Sequence, residues 1–178
     1  PDGTVGELWC YGANIAAGYL NRPEETEETF HNTLVTPLAE NSRATGAPVD
    51  AQWMATGDLG VIIDDEIYIT GRLKDLIVIA GRNHYPQDIE YTVAHASAQI
   101  RPAAVAAFAV EGDDVEQLII LAERDLDKVE GDDADAIAAI RAAVTEAHGV
   151  VPADIRITAP DTIIRSSAGK IARRVNKK

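Results

Sequence analysis

Residues 71–90, GRLKDLIVIAGRNHYPQDIE, constrain this chain more than any other stretch. They join a glycine-arginine pair, a charged Lys74-Asp75 step, an apolar run of strand length and a proline that opens a helix. Ordinary core packing does not require that combination. Residues 76–80 read as a strand. Pro86 starts a helix through about Ser97, with Ile89 and Val93 four apart on one face.

The remaining elements follow from periodicity and turn chemistry. Residues 5–12 read as a short strand closed by a turn. Residues 21–30 read as a helix whose first turn suits Pro23 and whose early acids complement the positive N-terminus. Residues 36–52 are polar and predict a loop. Residues 61–69 predict a hairpin around Asp64-Asp65, a weaker turn than Asp-Gly. Two strand-length apolar runs, 103–110 and 117–123, are separated by a Gly112-Asp113-Asp114 turn. Residues 134–148 form the clearest helix, with Ile137, Ile140 and Val144 as an inward stripe and Gly149 as its C-terminal cap. Residues 155–158 read as a short strand, and 169–176 as a short basic helix or a loop leading into one. The sum predicts an α+β chain. Residues 76–178 would form a small C-terminal domain, a short mixed or antiparallel sheet flanked by helices. Residues 72–75 would be a hinge, and 1–71 a β-rich tail of a larger N-terminal domain.

Composition excludes several functions. With 46% hydrophobic residues among 178, a core can be buried. A net charge of −13 argues against a general nucleic-acid binder, which needs basic surface to neutralise phosphates. The charge is uneven: residues 111–135 are dense in acid and read as a solvated face, whereas Arg165, Lys170, Arg173, Arg174, Lys177 and Lys178 have no acid among them. One cysteine, Cys10, rules out an internal disulfide and fits a reducing, cytoplasmic setting. No stretch is long and apolar enough for a transmembrane helix, and no signal peptide opens the chain. It begins at Pro1-Asp2-Gly3 without a methionine, as expected of a cut or processed product.

Four candidates for chemistry remain. Asp58 follows Thr56-Gly57 in a turn-like segment; its carboxylate suits the paired hydroxyls of a ribose, although taken alone a turn bond to its own backbone is the commoner role. Arg72 suits a ribose or phosphate, or equally a surface ion pair. Lys74 and Asp75 fit a hinge or a plain exposed loop. Lys170 ends Ser166-Ser167-Ala168-Gly169, small flexible residues able to carry an ammonium into a cleft, or a solvated tail. Metal sites are not expected: His31, His84, His95 and His148 lack ligand spacing. Gly169-Lys170 is not a Walker loop, because Ile164 stands where the first glycine belongs.

Each signal is weak alone, but their order is specific. Gly6-Glu-Leu-Trp9, then residues 17–24, Thr29-Phe30, Thr56-Gly57-Asp58-Leu59, Gly71-Arg72-x-Lys74-Asp75, Gly81 through Pro86-x-x-Ile89-Glu90, and Ser167-Ala168-Gly169-Lys170-Ile171 run in series over most of the chain. In that series the chain resembles the adenylate-forming superfamily of acyl-CoA synthetases, fatty acyl-AMP ligases, luciferases and peptide-synthetase adenylation domains. Residues 81–90, and the long loop between Phe30 and Thr56, are most similar to the fatty acyl-AMP ligases, including those feeding mycolic-acid-type lipid synthesis.

The resemblance implies roles and partners. Asp58 and Arg72 would hold the ATP ribose, with Ile69 packed near the nucleoside. Lys74 would be the turning point, with Asp75 beside it. Lys170 would bridge the acyl carboxylate and the α-phosphate, and Gly81 would line the path of the thiol acceptor. The substrates would be a long-chain fatty acid and ATP with Mg2+, whose ligand is expected outside this chain. The acceptor would be an acyl carrier protein or polyketide synthase carrier domain, with coenzyme A as the alternative. The family's phosphate loop and fatty-acid tunnel are not in this sequence, so this piece alone is expected not to adenylate. A different class of reading, a non-catalytic module docking a carrier protein through residues 165–178, stands beside these.

Overall fold

A computed structural model describes residues 3–36, 46–48, 50–112, 115–127 and 131–177. Most of the loop expected at 36–52, the tip of the Gly112-Asp113-Asp114 turn, and part of the acidic stretch at 111–135 lie outside the described residues. The chain divides into two compact units, Pro1–Lys74 and Asp75–Lys178.

The first unit is a three-stranded antiparallel sheet in the order β1 (Gly6–Cys10), β2 (Met54–Ile63), β3 (Glu66–Arg72), with helix α1 (Pro23–Phe30). Pro23 stands in the first turn of α1 and supplies the φ a helix needs there, and Phe30 is buried. Asp64 and Asp65 form a two-residue β-turn at φ 49° and 68°. Aspartate tolerates this left-handed region better than most residues, so Asp-Asp closes the hairpin where glycine is the usual choice.

The segment Thr56-Gly57-Asp58 is not the turn its composition suggests; it lies inside β2. Between the pairs Glu7–Leu59 and Trp9–Ala55, Leu8 alone faces Thr56, Gly57 and Asp58. That excess makes a bulge, which needs a left-handed residue, and Gly57 provides it at φ 71°.

The second unit is built on a mixed sheet, β6 (Ile100–Glu111), β7 (Glu116–Arg124) and β8 (Asp154–Thr158), after a small hairpin of β4 (Ile77–Ile79) and β5 (Arg82–His84). β6 and β7 are antiparallel, and β7 and β8 are parallel, joined through helix α3 (Asp133–His148). Residues 82–84, to which the sequence assigns no element, pair back on β4 through Ala80 and Gly81 at φ 49° and 74°. Helix α2 (Pro86–Ala96) and α3 cover one sheet face: Ile89, Val93, Ile140 and Val144 meet Val105, Ala107, Leu118 and Ile120, all buried. Ile137 packs at the edge of this core, and Ala136 takes the buried place beside Ile140. The opposite face carries Ala106 and Phe108, with Ile119 and Leu121 packed against them, and is covered by Ile163 and Ile171. Burial on both faces explains why β6 and β7 read as unbroken apolar runs rather than alternating ones.

Two parts of the acidic stretch have structural work. Asp132 caps α3, accepting from the Ala134 amide at 3.0 Å, and Asp133 pairs with Arg124. Gly149 ends α3 at φ 65°. The basic helix α4 (Arg173–Asn176) has a single turn, and residues 169–172 precede it as loop.

Candidate functional site

On the first unit the bulge aims Asp58 across the sheet. A second irregularity, at Thr70 in β3, shifts the register by one residue, so that Arg72 rather than Gly71 stands opposite Asp58. The Arg72 Nε donates to Asp58 Oδ1 at 2.9 Å. Both side chains are open to solvent, 55% and 38% exposed, so the pair lies within reach of a ligand. Asp58 therefore does not bond its own turn; its partner is a cation from the neighbouring strand. A donor fork and a carboxylate side by side form a set that a sugar diol or a phosphate can share.

The bulge is held by groups that the sequence did not single out. Thr56 Oγ1 donates to the Leu8 carbonyl at 2.7 Å and accepts from the Asp58 amide at 3.1 Å. The Gly57 amide donates to Glu7 Oε1 at 3.0 Å, and Glu7 Oε2 accepts from Trp9 Nε1 at 2.9 Å. These bonds satisfy the backbone that the bulge takes out of the ladder. Threonine at 56 and an acid before Trp9 were the legible signals. Ile69, on β3, is 62% exposed. Lys74 sits in a single 3-10 turn, Leu73–Asp75, and is exposed.

In the second unit, Lys170 is exposed and closes the loop of a tight hairpin. Arg165 and Ile171 bridge its stem. The Ser166 amide donates to the Lys170 carbonyl at 2.7 Å, and the Gly169 amide to the Ser166 carbonyl at 2.9 Å. Gly169 takes φ 75°, the left-handed place at the end of a three-residue hairpin loop. The small residues here meet the demands of a turn, rather than those of a loose loop.

Side-chain hydrogen bonds, several of them from buried groups, fix this hairpin to the sheet. Glu123, 1% exposed, accepts from the Ile163 amide at 2.8 Å and from Arg101 at 3.2 Å. Arg165 donates to the Gly169 carbonyl at 3.1 Å and to the Ala103 carbonyl at 2.5 Å, where Ala103 is a left-handed residue in the irregular start of β6. Arg173, only 14% exposed, donates to Glu90 through Nε at 2.8 Å and Nη2 at 2.6 Å, and to Asp75 through Nη1 at 3.2 Å. Burial works against the charge of Arg173, but the hydrogen bonds and charges of Glu90 and Asp75 outweigh it, and its pKa moves up. Glu90 also accepts from the Ala107 amide on the edge strand β6 at 3.0 Å.

Gly81 forms the β4–β5 turn with open space where a side chain would begin. His84 beside it is buried, and burial, with Arg82 and His148 nearby, pushes its pKa down. An open depression of about 500 Å³ lies beside α1, lined by Ala17, Tyr19, Leu20, Pro23 and Thr26 among others; it holds none of the candidate residues. Among the described residues no cluster of three or more His, Cys, Asp or Glu could hold a metal ion. Among the described residues no helix is long and apolar enough to cross a membrane.

Residues 74–178 match the family model described as Disco-interacting protein 2-like, AMP domain. Over 98% of its length the chain is 44% identical to the long-chain-fatty-acid–AMP ligase FadD32 of Mycolicibacterium smegmatis, of which it spans 31%. It is 41% identical, over 97% of its length, to FadD21 of Mycobacterium leprae, named as a fatty-acid–CoA ligase, and spans 29% of it. Among solved structures, one from a study of fatty acyl-adenylate ligases of E. coli and L. pneumophila superposes with a TM-score of 0.73 at 31% identity, covering 99% of this chain and 27% of that one.

Proposed function

The chain belongs to the Disco-interacting protein 2-like AMP-domain family, and on that premise we propose that it is part of an ATP-dependent fatty acyl-AMP ligase. The observation that carries this reading is the 44% identity to FadD32 along 98% of the chain. The chain spans less than a third of the relatives it matches, so the activity is proposed for the full-length protein.

The reaction has two halves. The fatty-acid carboxylate attacks the α-phosphorus of ATP, forming the acyl-adenylate and releasing pyrophosphate. A carrier-protein phosphopantetheine thiol then attacks the acyl carbonyl, forming a thioester and releasing AMP. Asp58 would accept from the ribose hydroxyls while Arg72 donates to the ribose or a phosphate. Their placement on adjacent strands supports that division of labour. Ile69, exposed three residues before Arg72, would pack against the nucleoside.

The chemical obstacle in the first half is two anions approaching each other. The Lys170 ammonium, held beside a hairpin loop, would lie between carboxylate and α-phosphate, relieving repulsion and stabilising charge that builds in the transition state. Magnesium, when bound, would neutralise phosphate charge; the described residues supply no donor set for it, and no step here is assigned to it. For the second half, rotation about Lys74 would withdraw Lys170 and present Gly81, whose missing side chain leaves room for a slender thiol arm. Residues 76–178 would thus be a mobile domain, with 72–75 as its hinge. A cytoplasmic setting fits this substrate set.

The identity to FadD21 favours a second reading, a fatty acyl-CoA ligase. The full-length protein, given ATP, a fatty acid and coenzyme A, should accumulate acyl-adenylate and form thioester only when a carrier protein is added. Rapid acyl-CoA formation would establish the second reading instead. A salt-sensitive complex of the chain with acyl carrier protein, in a full-length protein that shows no exchange of pyrophosphate into ATP, would instead favour a docking module.

A further inference from the structure

We infer that Arg173 is a positioning residue for adenylation, joining the Lys170 hairpin to the exit of the pivot at Asp75. The inference rests on the role proposed for Lys170. Three observations carry it.

The first is reach. Arg173 lies three positions after Lys170, a span of at most roughly 10 Å. Within it, Ile171 packs against the Ala106–Phe108 face, and the Ala172 amide donates to the Ile164 carbonyl at 3.0 Å. The hairpin base therefore has little freedom to move independently of Arg173.

The second is the geometry of the cluster. Arg173 meets Glu90 with a two-pronged fork, which fixes direction as well as distance, and spends its remaining nitrogen on Asp75. Glu90 is held in turn by the Ala107 amide. All three ionised side chains are less than a fifth exposed, so water does not loosen them.

The third is where the contacts fall. Asp75 is the first residue of the second unit, and the chain divides between it and Lys74. A single guanidinium thus links the residue at which rotation would enter the unit, the helix α2 and the turn that bears the ammonium. A rotation at Lys74 would reach Lys170 through this cluster without slack, and neither Lys170 nor Lys74 supplies that link.

The test uses the full-length enzyme, with pyrophosphate exchange as the first half-reaction and transfer from supplied acyl-adenylate to carrier as the second. Arg173→Lys keeps the charge but loses the fork. The expected result is a fall in exchange kcat of at least about tenfold, the scale of a small misplacement of a reacting group. KM for ATP and fatty acid should stay within about twofold, and transfer from supplied adenylate should be retained, because Lys170 acts only in the first half. Combined with Lys170→Ala, the Arg173→Lys change should cause no further loss in exchange, as expected of residues acting as a unit. Arg173→Gln should repeat the pattern more strongly. Exchange at the wild-type rate in Arg173→Lys, where Lys170→Ala is impaired, would overturn the inference alone. Equal losses in both half-reactions, with a lowered unfolding midpoint, would reduce Arg173 to a structural residue. Normal exchange in Lys170→Ala would remove the parent reading and the inference with it.

Discussion

The Asp58–Arg72 pair and the Arg173–Glu90–Asp75 cluster are both ion pairs of arginine with carboxylate, yet they differ in the property that matters. The first is open to solvent on both sides, while the second is nearly closed. Exposed pairs contribute about 0–1 kcal/mol, whereas breaking a buried pair costs about 3–5 kcal/mol, because the orphaned charge has no water. The exposed pair is thus free to exchange its partner for a ligand, and the buried cluster is suited to holding geometry. Lys170, the proposed catalytic residue, is exposed, whereas the Arg173–Glu90–Asp75 cluster behind its hairpin is not.

The largest effect should come from Glu90→Ala. It orphans the Arg173 fork and the Ala107 amide together, and should lower stability by about 3 kcal/mol, read as the urea midpoint. Next, Gly57→Ala forces a side chain onto a residue at φ 71° and should cost about 1–2 kcal/mol while weakening ATP binding, because the bulge aims Asp58. Asp58→Asn should separate the two properties most cleanly. Stability should move by less than about 1 kcal/mol, while ATP binding to the full-length enzyme, followed by titration calorimetry, should weaken by about tenfold or more. A large stability loss in Asp58→Asn would erase the contrast between the two clusters.

The smallest effect concerns His84. Its imidazole is buried and its folded pKa is lowered, while the unfolded chain takes up a proton near pH 6.5. The folded form therefore binds fewer protons, so this contribution is fully present above about pH 6.5 and lost as pH falls below it. His84→Gln should flatten the change in urea midpoint between about pH 7.5 and 5.5. An unchanged slope would place the sensitivity elsewhere.

Local chemistry was legible where one residue type decides the outcome. Pro86 starting α2, Gly149 ending α3 and the Ile140–Val144 stripe are of that kind. What sequence order could not reveal was register. Thr56-Gly57-Asp58 has the composition of a turn and becomes a bulge only because β1 and β3 pair on either side. The β4–β5 hairpin was hidden because Ala80 gives no sign of a left-handed conformation. Arg173 looked like one of several basic residues near the C-terminus, and its partners lie far back in the chain at Asp75 and Glu90. Asp58, Arg72, Ile69, Lys74, Gly81 and Lys170 are named from motif order, and the geometry adds which groups hold the Asp58–Arg72 pair and the Lys170 hairpin.

The central claim is that Lys170 performs adenylation on behalf of a fatty acyl-AMP ligase. Pyrophosphate exchange by the full-length protein with a long-chain fatty acid and ATP tests it most directly. The account predicts robust exchange in the wild type and a fall of about a hundredfold or more in Lys170→Ala, the scale of losing one charge-stabilising donor. Exchange that is unchanged in Lys170→Ala would contradict it.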